Sequence, residues 1–144
     1  MWDNDPEPAV VAVLSFPMST ADRRLIELRD ILALLPGEDL VWSLYEFYGF
    51  GGDPEGLEGK ALASPSGYVL TWPRLVEFAR GIRQTVDCTL VAVERAEDLA
   101  PDSPERGIGE FVLVGHDSTV WELSGARFGP VLEACFRAEF CRPL

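Results

Sequence analysis

His116, Asp117 and Ser118 stand consecutively and are the three residue types of a hydrolase triad. Their adjacency argues against that chemistry. A triad needs side chains converging from separate elements, whereas three successive turn residues point in different directions, and Asp and Ser are ordinary turn formers. Cys88 would serve as a nucleophile only if a base or a positive field lowered its pKa. It opens an apolar run, so it reads as a core thiol, and Cys135, at helical spacing with Leu132 and Phe136, reads as packing too. The stretch Gly49–Gly59 is glycine-rich but lacks the Gly-Lys-Ser/Thr ending of a phosphate loop, and Asp53, Glu55 and Glu58 would repel phosphate. Those carboxylates do not follow the alternating ligand pattern of an EF-hand either. Three cysteines without a CxxC and with one histidine suggest neither a disulfide framework nor a zinc site. No metal, cofactor or catalytic group is assigned from these residues.

Aromatic residues and charge carry the remaining information. Trp42, Tyr45, Phe47, Tyr48 and Phe50 crowd into nine positions. The first three suit packing, while Tyr48 and Phe50 run straight into a glycine turn where burial is harder. The chain has 24 Asp and Glu against 12 Lys and Arg, a net charge of -12, beyond the magnitude of roughly 2 to 8 that keeps a small domain soluble. The acid excess is localised: residues 1–48 hold nine acids against three Arg, and residues 96–124 hold seven against Arg106. Direct nucleic-acid binding is disfavoured, because phosphate contacts need a basic patch and only Arg74, Arg80 and Arg83 cluster.

The elements that must position these groups follow from periodicity. A length of 144 residues with 47% hydrophobic content fits one domain with its own core. Ala9–Phe16 is a continuous β-rich run, as expected of a central strand buried on both faces. Ser19 or Thr20 then caps a helix in which Leu25, Leu28, Ile31, Leu32 and Leu35 recur at helical spacing until Pro36-Gly37. Leu40–Tyr48 reads as a strand placing Trp42, Leu44 and Glu46 on one face and Val41, Tyr45 and Phe47 on the other. A long irregular loop to about Ser66 follows, with a short strand or an approach to the next helix at Gly67–Leu70. Thr71 caps an amphipathic helix carrying Leu75, Phe78, Ala79 and Ile82 on one stripe. Cys88–Val93 is a strand, residues 96–109 an exposed acidic loop, and Glu110–Val114 with Thr119–Leu123 a hairpin. A last helix begins near Phe128 or Gly129 with Pro130 in its first turn. The fold class expected is α+β: a mixed, partly antiparallel sheet of four to six strands with about three helices mainly on one face, in a single domain.

No apolar run approaches the ~20 residues of a membrane span, and Asp3, Asp5 and Glu7 stand where a signal peptide would carry positive charge. The chain therefore reads as cytoplasmic, without a membrane partner. A late acidic hairpin ending in Asp-Ser-Thr-Val-Trp-Glu-Leu (117–123) before a closing amphipathic helix resembles the immunity-type proteins that accompany bacterial toxins. The resemblance covers about 30 residues and implies a basic toxin as partner; it transfers no binding residue.

Two functions are carried forward. The first is a non-catalytic acidic interaction protein, an immunity-type inhibitor, that meets a basic protein partner through Glu46, Tyr48, Phe50, Asp53, Glu55 and Glu58 on one stretch and Glu97, Asp98, Asp102 and Glu105 on another. Complementary potentials raise association rates to on the order of 10⁸ to 10⁹ M⁻¹s⁻¹. The second is a small-molecule-binding or enzymatic domain built on the aromatic strand 42–50 and the glycine-rich loop 49–59, which demands a concave pocket at Tyr48 and Phe50.

Overall fold

The computed structural model describes residues 13–20, 22–52, 56–99 and 109–141. Six strands, β1 (Leu14–Pro17), β2 (Val41–Gly51), β3 (Tyr68–Leu70), β4 (Ile82–Val93), β5 (Phe111–His116) and β6 (Val120–Ser124), form one sheet in the order β1-β6-β5-β4-β2-β3. Among the described residues four α-helices accompany them: α1 (Leu28–Leu32), α2 (Leu57–Leu62), α3 (Trp72–Gly81) and α4 (Pro130–Phe140). The α+β class holds, and every strand pairing in this sheet is antiparallel.

Strand alternation sorts the side chains into two faces. On the inner face, Leu14, Leu123, Leu113, Leu90, Leu44 and Tyr68 succeed one another across all six strands, and Phe16, Trp121, Gly115, Cys88 and Phe47 form the next row. Helices cover this face. Phe136 and Phe140 of α4 pack on Phe16, with centroids 6.0 and 5.3 Å away, and Phe78 of α3 meets Phe47 edge-on at 5.0 Å. Trp72, also of α3, lies 5.5 Å from Trp42, and α1 packs beside α3. Gly115 belongs to the inner row because a Cβ there would meet Trp121 Cζ3 at 2.9 Å and Met18 Cε at 2.7 Å.

The β1 strand is at the edge of the sheet, not at its centre, and within Leu14–Pro17 it is buried on alternate residues only. Residues 9–12 of the expected strand lie outside the described residues. The helix expected from Ser19 or Thr20 onward is replaced at first by a tight reversal. Ser19 bridges to Leu25, Ile26 N–H donates to Met18 O at 2.7 Å, Thr20 N–H donates to Arg24 O at 2.7 Å, and Arg23 takes φ 67°. Met18, itself bonded to Thr119 O at 2.9 Å, extends the β1 pairing, and that tertiary ladder overrides the helical periodicity. Only Leu28–Leu32 is α-helical, and it starts at Glu27, whose backbone N–H donates to Asp30 Oδ2 at 2.8 Å.

A register shift between Leu44 and Glu46 leaves Tyr45 as an extra residue on β2. One inserted residue reverses the parity of everything after it. Phe47 consequently joins Trp42 and Leu44 in the core, and Glu46 turns outward, the reverse of the uninterrupted alternation expected. The presumed loop after Tyr48 is also more regular: β2 continues through Gly51, and α2 forms within residues 57–62 and packs on β2 and β3. Thr71 caps α3 as expected, its hydroxyl accepting from Arg74 N–H at 3.4 Å.

Candidate functional site

On the other face of the sheet Ser43, Val91 and Val93 are buried at one end, and the sequence-derived candidates Glu46, Tyr48 and Phe50 gather toward the other end of β2. Ser15, Glu122, Val114, Thr89 and Glu46 form one outward row across β1, β6, β5, β4 and β2. Three strand spacings separate Glu122 from Glu46, roughly 14 Å at about 4.8 Å each. In the next row Tyr48 is opposite Asp87, and His116 is opposite Val120. Tyr48 and Phe50 are 49% and 56% exposed and stand edge-to-face with centroids 6.1 Å apart. Aromatic side chains so exposed gain little from folding and much from being covered.

Charge separates the two layers of the molecule. The six strands hold Glu46, Asp87 and Glu122 but only one cation, Arg83 at the start of β4. Arg29, Lys60, Arg74, Arg80 and Arg137 are all on helices, where acids balance them. The strands are therefore acidic while the helices are near neutral. His116 stands 3.5 Å from Glu122.

Asp117 and Ser118 have φ of 49° and 59°, and Thr119 N–H donates to His116 O at 2.9 Å. Two successive residues in the left-handed region reverse the chain, and three residues, Asp117–Thr119, separate the paired His116 and Val120. The neighbours of the three triad-like residues confirm the separation: His116 faces Glu122, Asp117 N–H donates to Asp87 Oδ1 at 2.9 Å, and Ser118 Oγ donates to Thr85 O at 3.5 Å. Cys88 is fully buried, and burial, aided by the charges of Glu46 and Asp87, pushes its thiol up to about 12. A thiol so held is no nucleophile at neutral pH. Cys135, contrary to the packing role expected, is exposed on α4, because Phe136 and Phe140 supply the buried stripe of that helix. Among the described residues no group of three or more His, Cys, Asp or Glu is arranged to hold a metal ion, and no helix is long and apolar enough to cross a membrane.

The two acidic stretches named from sequence leave the sheet at opposite ends. Val41 pairs with Val93 and Gly51 with Ile82, so the turn Ala96–Asp98, which holds Glu97 and Asp98, begins beyond one end of β2, and the segment after Gly52 begins beyond the other. The 11 residues of β2 span roughly 30 Å at about 3.3 Å per residue. Glu58 sits half-buried in the first turn of α2, whereas Asp53, Glu55, Asp102 and Glu105 lie outside the described residues. At the Val93 end, Arg127 reaches Glu110 at 3.2 Å, Glu94 at 3.3 Å and Asp39 at 3.5 Å, tying three separate connections together. Desolvation opposes its charge, but the bond to Glu94 and the fields of Asp39 and Glu110 outweigh this and raise its pKa further. Sequence reading missed this node, since its partners are far apart along the chain. Asp87 was missed for a similar reason, while Glu122 was signalled by its place between Trp121 and Leu123.

Three concavities are formed by described residues. A cleft of about 500 Å³ opens between α1 and α3, another of about 390 Å³ runs beside Val69–Arg74, and a third of about 220 Å³ separates Tyr45 and Glu46 from the end of α2. Tyr48 and Phe50 line none of the three. No protein-family model, curated protein or solved structure matches the chain.

Proposed function

We propose that this protein is a non-catalytic binding protein whose outer sheet face engages a basic protein partner and, following the resemblance of its late hairpin, that the partner is a bacterial toxin whose cationic active surface it covers. The observation that carries this reading is the exposed pair Tyr48 and Phe50 set beside Glu46 and Asp87, on a sheet whose strands carry three acids against the single cation Arg83. Aromatic anchors supply contact area at low entropic cost, and surrounding like charges give steering and partner choice. A basic nuclease-like surface is complementary to such a patch, and an inhibitor of a lethal enzyme benefits from fast association.

The test is affinity capture from the native host, followed by association kinetics on the captured protein. The expected partner is basic, and its association slows steeply as salt rises. Reversal of Glu46 and Glu122 to Lys slows association further, while reversal of Glu77, exposed on α3 in the opposite layer, leaves it unchanged. Salt-insensitive binding, or equal effects of the two reversals, would sink the proposal.

A further inference from the structure

The cleft between α1 and α3 is a second site of a different kind. Its floor is apolar, formed by Leu32, Leu35, Val76 and Ala79, and Arg29 and Arg80 contribute to it from opposite helices. Trp72 and Glu38 also line the neighbouring cleft and so mark one end; Arg29 and Arg80, at the far ends of the same two segments, mark the other. Eight residues of α3 separate Trp72 from Arg80, about 12 Å at 1.5 Å per residue.

The state of the arginines is informative. This chain has twice as many acids as Lys and Arg, and Arg127 and Arg137 each pair with carboxylates. Arg29 and Arg80 form no ion pair among the described residues, although Asp30 and Glu38 lie on the same rim. Asp30 is already engaged, accepting from Glu27 N–H at 2.8 Å. The Trp72 indole N–H likewise has no acceptor among the described residues. A volume of about 500 Å³ falls within the roughly 300 to 1,000 Å³ of small-molecule sites, which are apolar with a few convergent polar groups.

We infer that this cleft binds an anionic amphiphile, with a carboxylate or phosphate head held between Arg29 and Arg80 and an apolar or aromatic body lying over Leu32, Leu35 and Val76 toward Trp72. Two guanidinium groups from different helices match an anionic head by charge-assisted hydrogen bonds. Glu38 at the opposite end fixes the orientation by repelling that head. The site is independent of the sheet face, which lies on the other side of the sheet.

Isothermal titration with decanoate and with decyl phosphate, both below micelle-forming concentrations, tests this on the full chain, with decyltrimethylammonium as the cationic control. Saturable one-to-one binding of at least one anion and none of the cation is expected, the tighter anion identifying the head group. The double variant Arg29→Gln/Arg80→Gln weakens binding roughly tenfold or more, Arg29→Lys/Arg80→Lys restores most of it, and far-ultraviolet circular dichroism verifies that each is folded. Absence of anion binding, equal binding of the cation, or undiminished affinity in the folded Gln variant would overturn the assignment.

Discussion

The carboxyl of Glu27 lies beside the hydroxyl of Thr85 under the inner face of the sheet, and neither Glu27 Oε2 nor Thr85 Oγ1 has a hydrogen-bond partner among the described residues. Glu27 is only 4% exposed. Burial first, and the Asp30 carboxylate second, raise its pKa from the ordinary 4.5 to about 7, against smaller opposing effects of Arg29 and Thr85. A carboxyl raised in this way binds its proton better in the folded state, so its contribution to stability falls as pH rises from about 4.5 to about 7. The loss amounts to at most about 3 kcal/mol. Glu27→Gln, which keeps the shape without the charge, is expected to be more stable than the parent at pH 8 and nearly equal to it at pH 5. Urea unfolding at the two pH values measures this, and parallel pH curves for the two proteins would refute it.

Tyr48 and Phe50 contribute little to the folded state if their exposure reflects a binding role. Tyr48→Ala and Phe50→Ala should each weaken binding to the basic partner by roughly 2 kcal/mol, the range of interface anchors, while leaving the unfolding midpoint almost unchanged. Phe47→Ala is the internal contrast. Its ring is buried against Phe78, so a loss of about 3 to 5 kcal/mol of stability is expected. Paired denaturation and binding titrations separate the two behaviours.

Removing Arg127 leaves Asp39, Glu94 and Glu110 facing one another without their shared counter-charge. Arg127→Gln should therefore melt at a lower temperature than the parent in low salt, and the gap should narrow as salt screens the carboxylates. A gap independent of salt would show that the guanidinium acts by packing alone.

Trp121 donates its indole N–H to Ile26 O at 2.9 Å across a separation of 95 residues. Trp121→Phe removes that donor, leaves a buried carbonyl without its partner and opens a small void. The expected cost is roughly 2 to 4 kcal/mol in urea unfolding. A cost below about 1 kcal/mol would show that the site refills or rehydrates.

Thiol reactivity should divide the three cysteines by burial. Cys135 is exposed, Cys141 half-buried and Cys88 buried with its thiol pushed up to about 12. An aromatic disulfide reagent at pH 8 should titrate Cys135 quickly, and Cys88 only after denaturant is added. Rapid modification of Cys88 in the native protein would contradict the core placement.

Local signals were legible wherever a residue's role depends on its chain neighbours. Thr71 and Pro73 announced α3, the spacing of Leu75, Phe78 and Ala79 announced its buried face, and Asp117-Ser118 announced the hairpin turn. Glycines and acids concealed α2, because its apolar contribution is only Leu57 and Ala61, too few for periodicity to reveal. At Ser19–Leu25 the leucine spacing suggested a helix that the pairing of Met18 with the sheet edge displaced.

The sequence by itself determined that the chain has enough apolar residues for a core, a large acid excess, and two aromatics, Tyr48 and Phe50, set in a run of glycines. Tertiary structure decided where those properties point. One extra residue at Tyr45 sends Phe47 inward and Glu46 outward, antiparallel pairing brings Asp87 opposite Tyr48, and the register of β4, β5 and β6 places Glu122 on the same face. Side-chain direction in a sheet depends on register, and register is fixed by partners tens of residues away. The amount of charge is thus a property of the sequence, and the face that presents it is a property of the fold.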